Sequence, residues 1–214
     1  MISPEKLDSL QRSWVQLLTP MGVTWEAAYA EFDRLVVCYS EPHRYFHTLE
    51  HIGEMLKIAG KLGHGLPQRL ELMLAVWYHD VAYDPRATDN EARSAVAASK
   101  SLGELGLESH AIDVVQELIL STRHGAPPTS TLPVVDVLHD ADLAILGAAD
   151  VRYARYAIDI RREYAHVSDA EYKHGRTALL QEFLSQPAIY RTAWLLAEGE
   201  ERARSNIETE LRSL

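Results

Sequence analysis

Apolar residues recur at helical spacing along almost the entire chain, and this periodicity limits the fold more than any other feature. Leu7, Leu10 and Trp14 form such a stripe near the start, because residues three and four positions apart share one face of an α-helix. We find no segment with the alternating period of a β-strand and no internal repeat. The 214 residues suffice for a substantial core. We therefore expect one all-α domain over residues 1–214, with about nine or ten irregularly crossing helices.

Capping residues and helix breakers predict where these helices begin and end. Two capping-box patterns, Thr88-Asp89-Asn90-Glu91 and Ser168-Asp169-Ala170-Glu171, each predict a helix start. After Gln186-Pro187 we expect one long helix that continues to the C-terminus. Other helices predicted in the same way cover residues 24–38, 46–61, 67–81 and 132–146.

Histidine and aspartate residues interrupt the apolar helical sequence at three places. His47 and His51 are four positions apart, His79-Asp80 follows, and Asp140-Ala141-Asp142 comes later. Lone His and Asp residues are usually excluded from a protein core unless they are paired or bind a metal. Imidazole and carboxylate groups are the ligands that hold a divalent ion in hydrolytic sites. The pattern therefore predicts a metal site.

The spacing of these residues is compatible with a single ion held between helices. His47 and His51 are expected on one face of a helix. His79 and Asp80 are adjacent, roughly 100° apart around the next helix, so an ion between two packed helices can contact both. Asp142 would complete the set from a third helix. We expect one divalent ion rather than two, and these ligands do not distinguish Mn, Fe, Ni, Co, Zn or Mg.

The first motif also fits a different class of metalloenzyme. His47-Thr48-Leu49-Glu50-His51 matches H-x-x-E-H, the inverted zinc-protease pattern. A five-residue pattern with three fixed positions arises readily by chance. The protease alternative also gives no role to His79, Asp80 or Asp142.

The order His, His-Asp, Asp on successive helices resembles the HD-domain superfamily of metal-dependent phosphohydrolases. The resemblance implies that the metal ligands are His51, His79, Asp80 and Asp142. The stretch from Tyr45 to His51 also resembles the cyclic-nucleotide phosphodiesterase signature Tyr-His-Asn-x-x-His, with Phe46 inserted and Thr48 in place of Asn. In those enzymes the first His donates a proton and the second binds metal, which implies these roles for His47 and His51.

Most of the chain resembles a bacterial group of predicted HD-superfamily phosphohydrolases. The segments that carry this resemblance are Arg44-Tyr45-Phe46-His47, Thr88-Asp89-Asn90-Glu91-Ala92-Arg93-Ser94-Ala95, Asp140-Ala141-Asp142-Leu143-Ala144-Ile145-Leu146-Gly147 and Ile160-Arg161-Arg162-Glu163-Tyr164. The resemblance implies an HD-type bundle that hydrolyses a phosphate ester or anhydride of a small nucleotide-like molecule. Asp80 would serve both as a ligand and as a proton acceptor. The HD pattern favours Asp142 over Asp140 as the ligand.

Further polar residues lie near these motifs and are candidates for substrate binding or for supporting the metal ligands: Arg44, Asp84, Glu91, Thr122, His124, Asp140 and Arg162. Arg44 and Arg162 suit bidentate phosphate contact. Glu91 either completes the capping box or orients water, and Asp84 either forms a turn or lies near the metal. Thr122 and His124 either belong to a second metal site or lie where a helix ends and its dipole favours a positive charge.

Charge and composition limit the partners that we expect. The formal net charge is −10, which disfavours broad binding to nucleic acid or to an anionic membrane. The single cysteine, Cys38, excludes an internal disulfide. No leader and no membrane-spanning run is apparent, so we expect a cytoplasmic protein. A small phosphorylated molecule is the expected ligand, and the closing helix offers a face for a homodimer.

Two other functions are compatible with the same residues. A nucleotide-binding sensor would need the metal but show little turnover. A di-iron oxygenase on an HD scaffold would need extra ligands such as His124. Metal stoichiometry and product formation distinguish both from a hydrolase.

Overall fold

The computed structural model describes residues 2–123 and 130–214. These residues form eleven α-helices and two short 3₁₀ helices and contain no β-strand, which confirms the predicted all-α fold. The helices are, in chain order, α1 (Pro4–Leu18), α2 (Trp25–Cys38), α3 (Leu49–Leu62), α4 (Arg69–Tyr78), α5 (Asn90–Glu104), α6 (Ser109–Leu120), α7 (Pro133–Leu143), α8 (Asp150–Glu163), α9 (Asp169–Ser185), α10 (Ala193–Glu198) and α11 (Glu200–Ser213). None of these helices combines the length and the apolarity that a membrane crossing requires.

Contacts divide the chain into two compact units, Met1–Leu138 and His139–Leu214. The single domain expected from the sequence over residues 1–214 stays a prediction. The boundary falls within α7, whose last turn carries Asp142. Each unit has its own core.

The core of the first unit is centred on α4. Every residue of α4 from Leu72 to Tyr78 is buried, as expected for a helix that is apolar on all sides. The ring of Trp77 makes edge-on contacts with Trp14 of α1 and Phe32 of α2, at centroid distances of 5.4 and 6.0 Å. Such pairs are favourable beyond the area that they bury. The end of α4 is thereby fixed in a rigid environment.

The second unit contains a buried ion pair that joins α9 to α11. Arg176 of α9 donates to Glu210 of α11 through Nε at 2.8 Å and through Nη2 at 3.1 Å. The Tyr153 hydroxyl of α8 donates a hydrogen bond to the same carboxylate at 2.6 Å. Because a buried charge needs both a partner and hydrogen bonds, this cluster fixes how the three helices pack.

We predicted one long closing helix, but the structure has two helices, α10 and α11, separated at Gly199. A Cβ at Gly199 would lie 3.0 Å from the Tyr190 ring, and one at Gly147 would lie 2.9 Å from the Gly199 carbonyl oxygen. The backbones at the two glycines therefore approach closely, and Asn206 secures the contact by donating to the Leu146 carbonyl at 2.8 Å. The close packing of Gly199 against Gly147 and Tyr190 interrupts the helix at this residue.

Only one of the two predicted capping boxes forms. At α9, the Ser168 hydroxyl accepts from the Glu171 amide and the Glu171 carboxylate accepts from the Ser168 amide. At α5 the N-cap residue is Asp89 rather than Thr88, and its side chain makes no capping hydrogen bond. The sequence pattern was therefore wrong for α5 and right for α9.

Candidate metal centre

The first histidine motif lies at the start of α3 and only partly within it. Thr48 is the N-cap residue, and its hydroxyl accepts from the Glu50 amide at 3.3 Å. The helix begins at Leu49, so His47 lies in the preceding turn, not on the helix as we predicted. His51 lies in the first helical turn and is only 2% exposed. Its ring lies 4.6 Å from that of Phe46.

The second motif lies where α4 ends. His79 is the C-cap residue and Asp80 follows in a turn, whereas we predicted both within a helix. The last carbonyl groups of a helix lack helical partners, and here side chains supply them. The His79 ring donates through Nδ1 to the Val76 carbonyl at 3.0 Å, and the Tyr39 hydroxyl donates to the Trp77 carbonyl at 2.9 Å.

This hydrogen bond fixes the tautomer of His79. A carbonyl oxygen only accepts, so Nδ1 must carry the proton and Nε2 of the neutral ring carries the lone pair. Nε2 lies 3.2 Å from Oδ2 of Asp80. Two such lone pairs repel each other unless a proton or a cation lies between them. Metal-binding histidines characteristically present one nitrogen to the ion and donate from the other.

The side chains of both motifs meet in one place. Nε2 of His47 lies 3.8 Å from Oδ2 of Asp80. The ring centroid of His51 lies 5.4 Å from that of His79 and 5.9 Å from that of His47. The structure therefore brings together four of the residues that the sequence singled out.

A subset of these residues has the geometry of a metal site. Among the described residues, His51, His79 and Asp142 each offer one ligand atom, and these atoms lie within 4.8 Å of one another. Both histidines are buried and Asp142 is partly buried. Imidazole nitrogen and carboxylate oxygen are the donors that divalent ions take in proteins. This group could therefore hold a metal ion, which agrees with the metal site predicted from the sequence.

The electrostatics of Asp80 favour its charged form. Burial raises the pKa of the Asp80 carboxyl, but the positive charge and hydrogen bond of a protonated His79, together with the charges of protonated His47 and His51, outweigh that effect and hold the pKa well below its usual value. The carboxylate is therefore ionised beside the histidines. The space between this carboxylate and His79 Nε2 can therefore be filled by a proton or by a cation that replaces it.

Asp140 has surroundings unlike those of Asp142. Its carboxylate is fully buried and accepts from the Arg191 amide at 2.9 Å and from the Thr192 amide and hydroxyl at 2.7 and 2.6 Å. His139 Nδ1 lies 3.1 Å away. Burial opposes ionisation, but hydrogen bonds from His139, Thr192 and Arg191 lower the pKa of Asp140. Asp140 therefore anchors the segment before α10.

The other candidate residues have structural contacts of their own. Asp84 accepts from the Arg86 amide at 2.9 Å and so forms a turn, and the Thr122 hydroxyl donates to the Ile119 carbonyl at 2.7 Å. Arg162 is largely exposed and lies 3.6 Å from Asp159. Glu91 lies in the first turn of α5. His124 lies outside the described residues.

Aromatic residues that the sequence analysis passed over also border the cluster. The ring of Tyr83 lies 4.3 Å from that of His47, and His43 donates through Nε2 to the Tyr83 carbonyl at 2.8 Å. The available signal was that Tyr83 and His43 lie within four residues of the two motifs. Their importance depends on turns that bring distant segments together.

Comparisons with known proteins identify no relative of this chain. No protein-family model matches the sequence, and neither the curated proteins nor the solved structures contain a match.

Proposed function

We propose that the protein is an HD-type metal-dependent phosphohydrolase that acts on a phosphate ester or anhydride of a small nucleotide-like molecule. The observation that carries the proposal is the grouping of His51, His79 and Asp142 beside His47 and Asp80. The order of these residues along the chain, which resembles that of the HD superfamily, supports it further. His51, His79 and Asp142 would hold the ion, with Asp80 as the fourth ligand.

Each remaining residue has a chemical role in this proposal. An ion held by these residues would supply Lewis-acid chemistry, by polarising a phosphoryl oxygen and lowering the pKa of water. Asp80 takes the proton of the attacking water as the new oxygen–phosphorus bond forms. His47, as the imidazolium, gives its proton to the leaving oxygen as the old bond breaks. His47 is suited to this role because its ring lies next to Asp80 and is 19% exposed.

The test combines metal analysis with product formation. The protein, purified without chelators, is measured for metal content and then for phosphate release from a panel of nucleotides. We expect one ion per chain and release of phosphate from at least one member. His79→Ala should lose both, whereas His110→Ala, which removes an exposed histidine of α6, should lose neither.

His47→Ala separates chemistry from metal binding. We expect the variant to keep its metal and to lose about 10²–10⁴-fold in turnover, the usual contribution of general acid catalysis. Full turnover in this variant would contradict the role of His47. A wild-type protein without metal under any loading condition would contradict the whole proposal. Bound metal without turnover would favour the sensor or, with two irons per chain, the oxygenase.

A further inference from the structure

Arg44 lies in the turn before α3, and its side chain is wholly shielded from solvent. Nη1 donates to the Asp80 carbonyl at 2.7 Å and to the His47 carbonyl at 3.3 Å, and Nη2 donates to the Val81 carbonyl at 3.1 Å. Nε donates to the Glu41 carboxylate at 2.9 Å. These bonds use four of the five N–H donors of a guanidinium, so nearly all of its hydrogen-bonding capacity is satisfied within the protein.

Two aromatic rings fix the guanidinium in place. Its central carbon lies 5.1 Å from the ring centroid of Tyr39 and 5.2 Å from that of Tyr83. Both distances are within the range of a favourable cation–π interaction, which is stronger when the cation is desolvated. Tyr39 is itself held by its hydrogen bond to Trp77 at the end of α4. The position of the guanidinium is therefore determined from several directions.

We infer that Arg44 is the positioning residue that sets the distance between His47 and Asp80. This inference rests on the proposed function. The two residues come from separate segments, and the guanidinium binds the backbone carbonyl of each. A displacement of about 1 Å between reacting groups is enough to cost about 10²-fold in rate. Lysine cannot replace Arg44, because its ammonium lacks the planar fork that reaches several carbonyl groups at once.

This role replaces the phosphate contact that the sequence suggested for Arg44. A phosphate would have to displace backbone carbonyls from a side chain with no exposed surface. The arrangement predicts that Arg44 acts on the metal site only through His47 and Asp80. Loss of Arg44 should therefore alter the geometry of a bound metal and not abolish its binding.

The test uses Co²⁺ as the probe, because its visible absorption reports coordination geometry. The full-length protein and Arg44→Ala are titrated with Co²⁺, and their folding is compared by circular dichroism. We expect Arg44→Ala to bind Co²⁺ with an altered spectrum and an affinity about 10–100-fold lower, the usual effect of removing a group that orients ligands. With any nucleotide that the wild-type protein hydrolyses in the panel, kcat of Arg44→Ala should fall at least tenfold with little change in KM.

Chemical rescue separates positioning from general stability. The cavity left between Tyr39 and Tyr83 in Arg44→Ala should accept free guanidinium at millimolar concentration. We expect the wild-type Co²⁺ spectrum to return, whereas the same concentration should not change Arg44→Lys. If Arg44→Ala does not fold, Arg44→Lys keeps the charge beside Glu41 and should show the same altered spectrum.

Arg176→Ala is the matched control. Arg176 is also buried, paired with a glutamate and placed 5.1 Å from a tyrosine ring centroid, but it donates to the side chains of Glu210 and Tyr156, neither of which belongs to the candidate site. It should lose stability and keep the wild-type Co²⁺ spectrum. The inference is overturned if folded Arg44 variants keep the wild-type spectrum and affinity, or if Arg176→Ala changes them equally. A wild-type protein that binds no Co²⁺ overturns the proposed function instead.

Discussion

Asp140 and Asp142 lie two positions apart on α7 and have opposite surroundings. The oxygens of Asp140 already accept from the amides of residues 191 and 192 and from the Thr192 hydroxyl. Asp142 contributes an oxygen to the group with the two buried histidines. At this scale, one carboxylate belongs to the fold and the other to the candidate site.

Substitution by asparagine should therefore separate the two roles. Asp140→Asn places an amide NH₂ against N–H donors, and we expect a loss of about 2–3 kcal/mol in the free energy of unfolding with metal content unchanged. Asp142→Asn should reduce metal affinity at least tenfold without destabilising the metal-free protein. Urea denaturation and metal analysis measure the two effects. Equal metal loss in both variants would be inconsistent with this assignment.

At the scale of the helices, α5 and α9 show how a capping pattern depends on its context. Both sequences carry the box, but only Ser168 and Glu171 form its reciprocal hydrogen bonds. Thr88 is exposed and lies outside α5, which begins at Asn90. The same four-residue pattern therefore has different energetic weight at the two helix starts.

Alanine substitutions should reveal this difference. Ser168→Ala removes the cap of α9 and should lower the free energy of unfolding by about 1 kcal/mol. Thr88→Ala is the matched control and should change it by less than about 0.5 kcal/mol. Thermal or urea denaturation measures both. A similar loss in the two variants would show that Thr88 caps a helix after all.

The cap at α9 should also respond to pH. Hydrogen bonds from the Ser168 hydroxyl and amide lower the pKa of Glu171 from its ordinary value of 4.5. A lowered pKa in the folded state means that the stabilisation is complete above the unfolded pKa and is lost as pH falls through the folded pKa. The stability difference between wild type and Glu171→Gln should therefore shrink below pH 4.5. An unchanged difference in acid would contradict this.

The sequence predicted the helical class and the ligand types because both depend on local patterns. The capping box at Ser168 is sufficient to place the start of α9, and the His and Asp residues predict a group that could bind a metal. The turn that carries His47 was not predictable, since it depends on Arg44 hydrogen bonds to residues more than thirty positions away. The break at Gly199 was missed for a similar reason, because the cause is contact with Gly147 and Tyr190.

At the scale of the whole molecule, an ion bound at the candidate site would couple metal binding to folding. An ion that binds only the native protein stabilises it by about 2.7 kcal/mol when its free concentration is 100 times its Kd. His51 lies in α3 and His79 caps the end of α4, so these two ligand positions depend on folded helices. The stability of the protein should therefore depend on the metal.

Removal of the metal should lower the melting temperature. We expect EDTA to shift the Tm of the wild-type protein downwards and re-addition of the ion to restore it. His79→Ala should melt at the same temperature with and without EDTA, and His110→Ala should behave like wild type. Differential scanning calorimetry makes the comparison. An EDTA-insensitive wild-type Tm in protein shown to contain metal would exclude this coupling.

The placement of the tryptophans gives the protein an optical reporter of its own site. Trp14 and Trp77 are fully buried with ring centroids 5.4 Å apart, and Trp77 precedes His79 by two residues. Trp25 is 67% exposed, so aqueous acrylamide quenches its red-shifted emission first. A paramagnetic ion bound beside His79 would instead quench the blue-shifted emission of the buried pair. The two ends of the emission spectrum thus distinguish surface from interior without any added label.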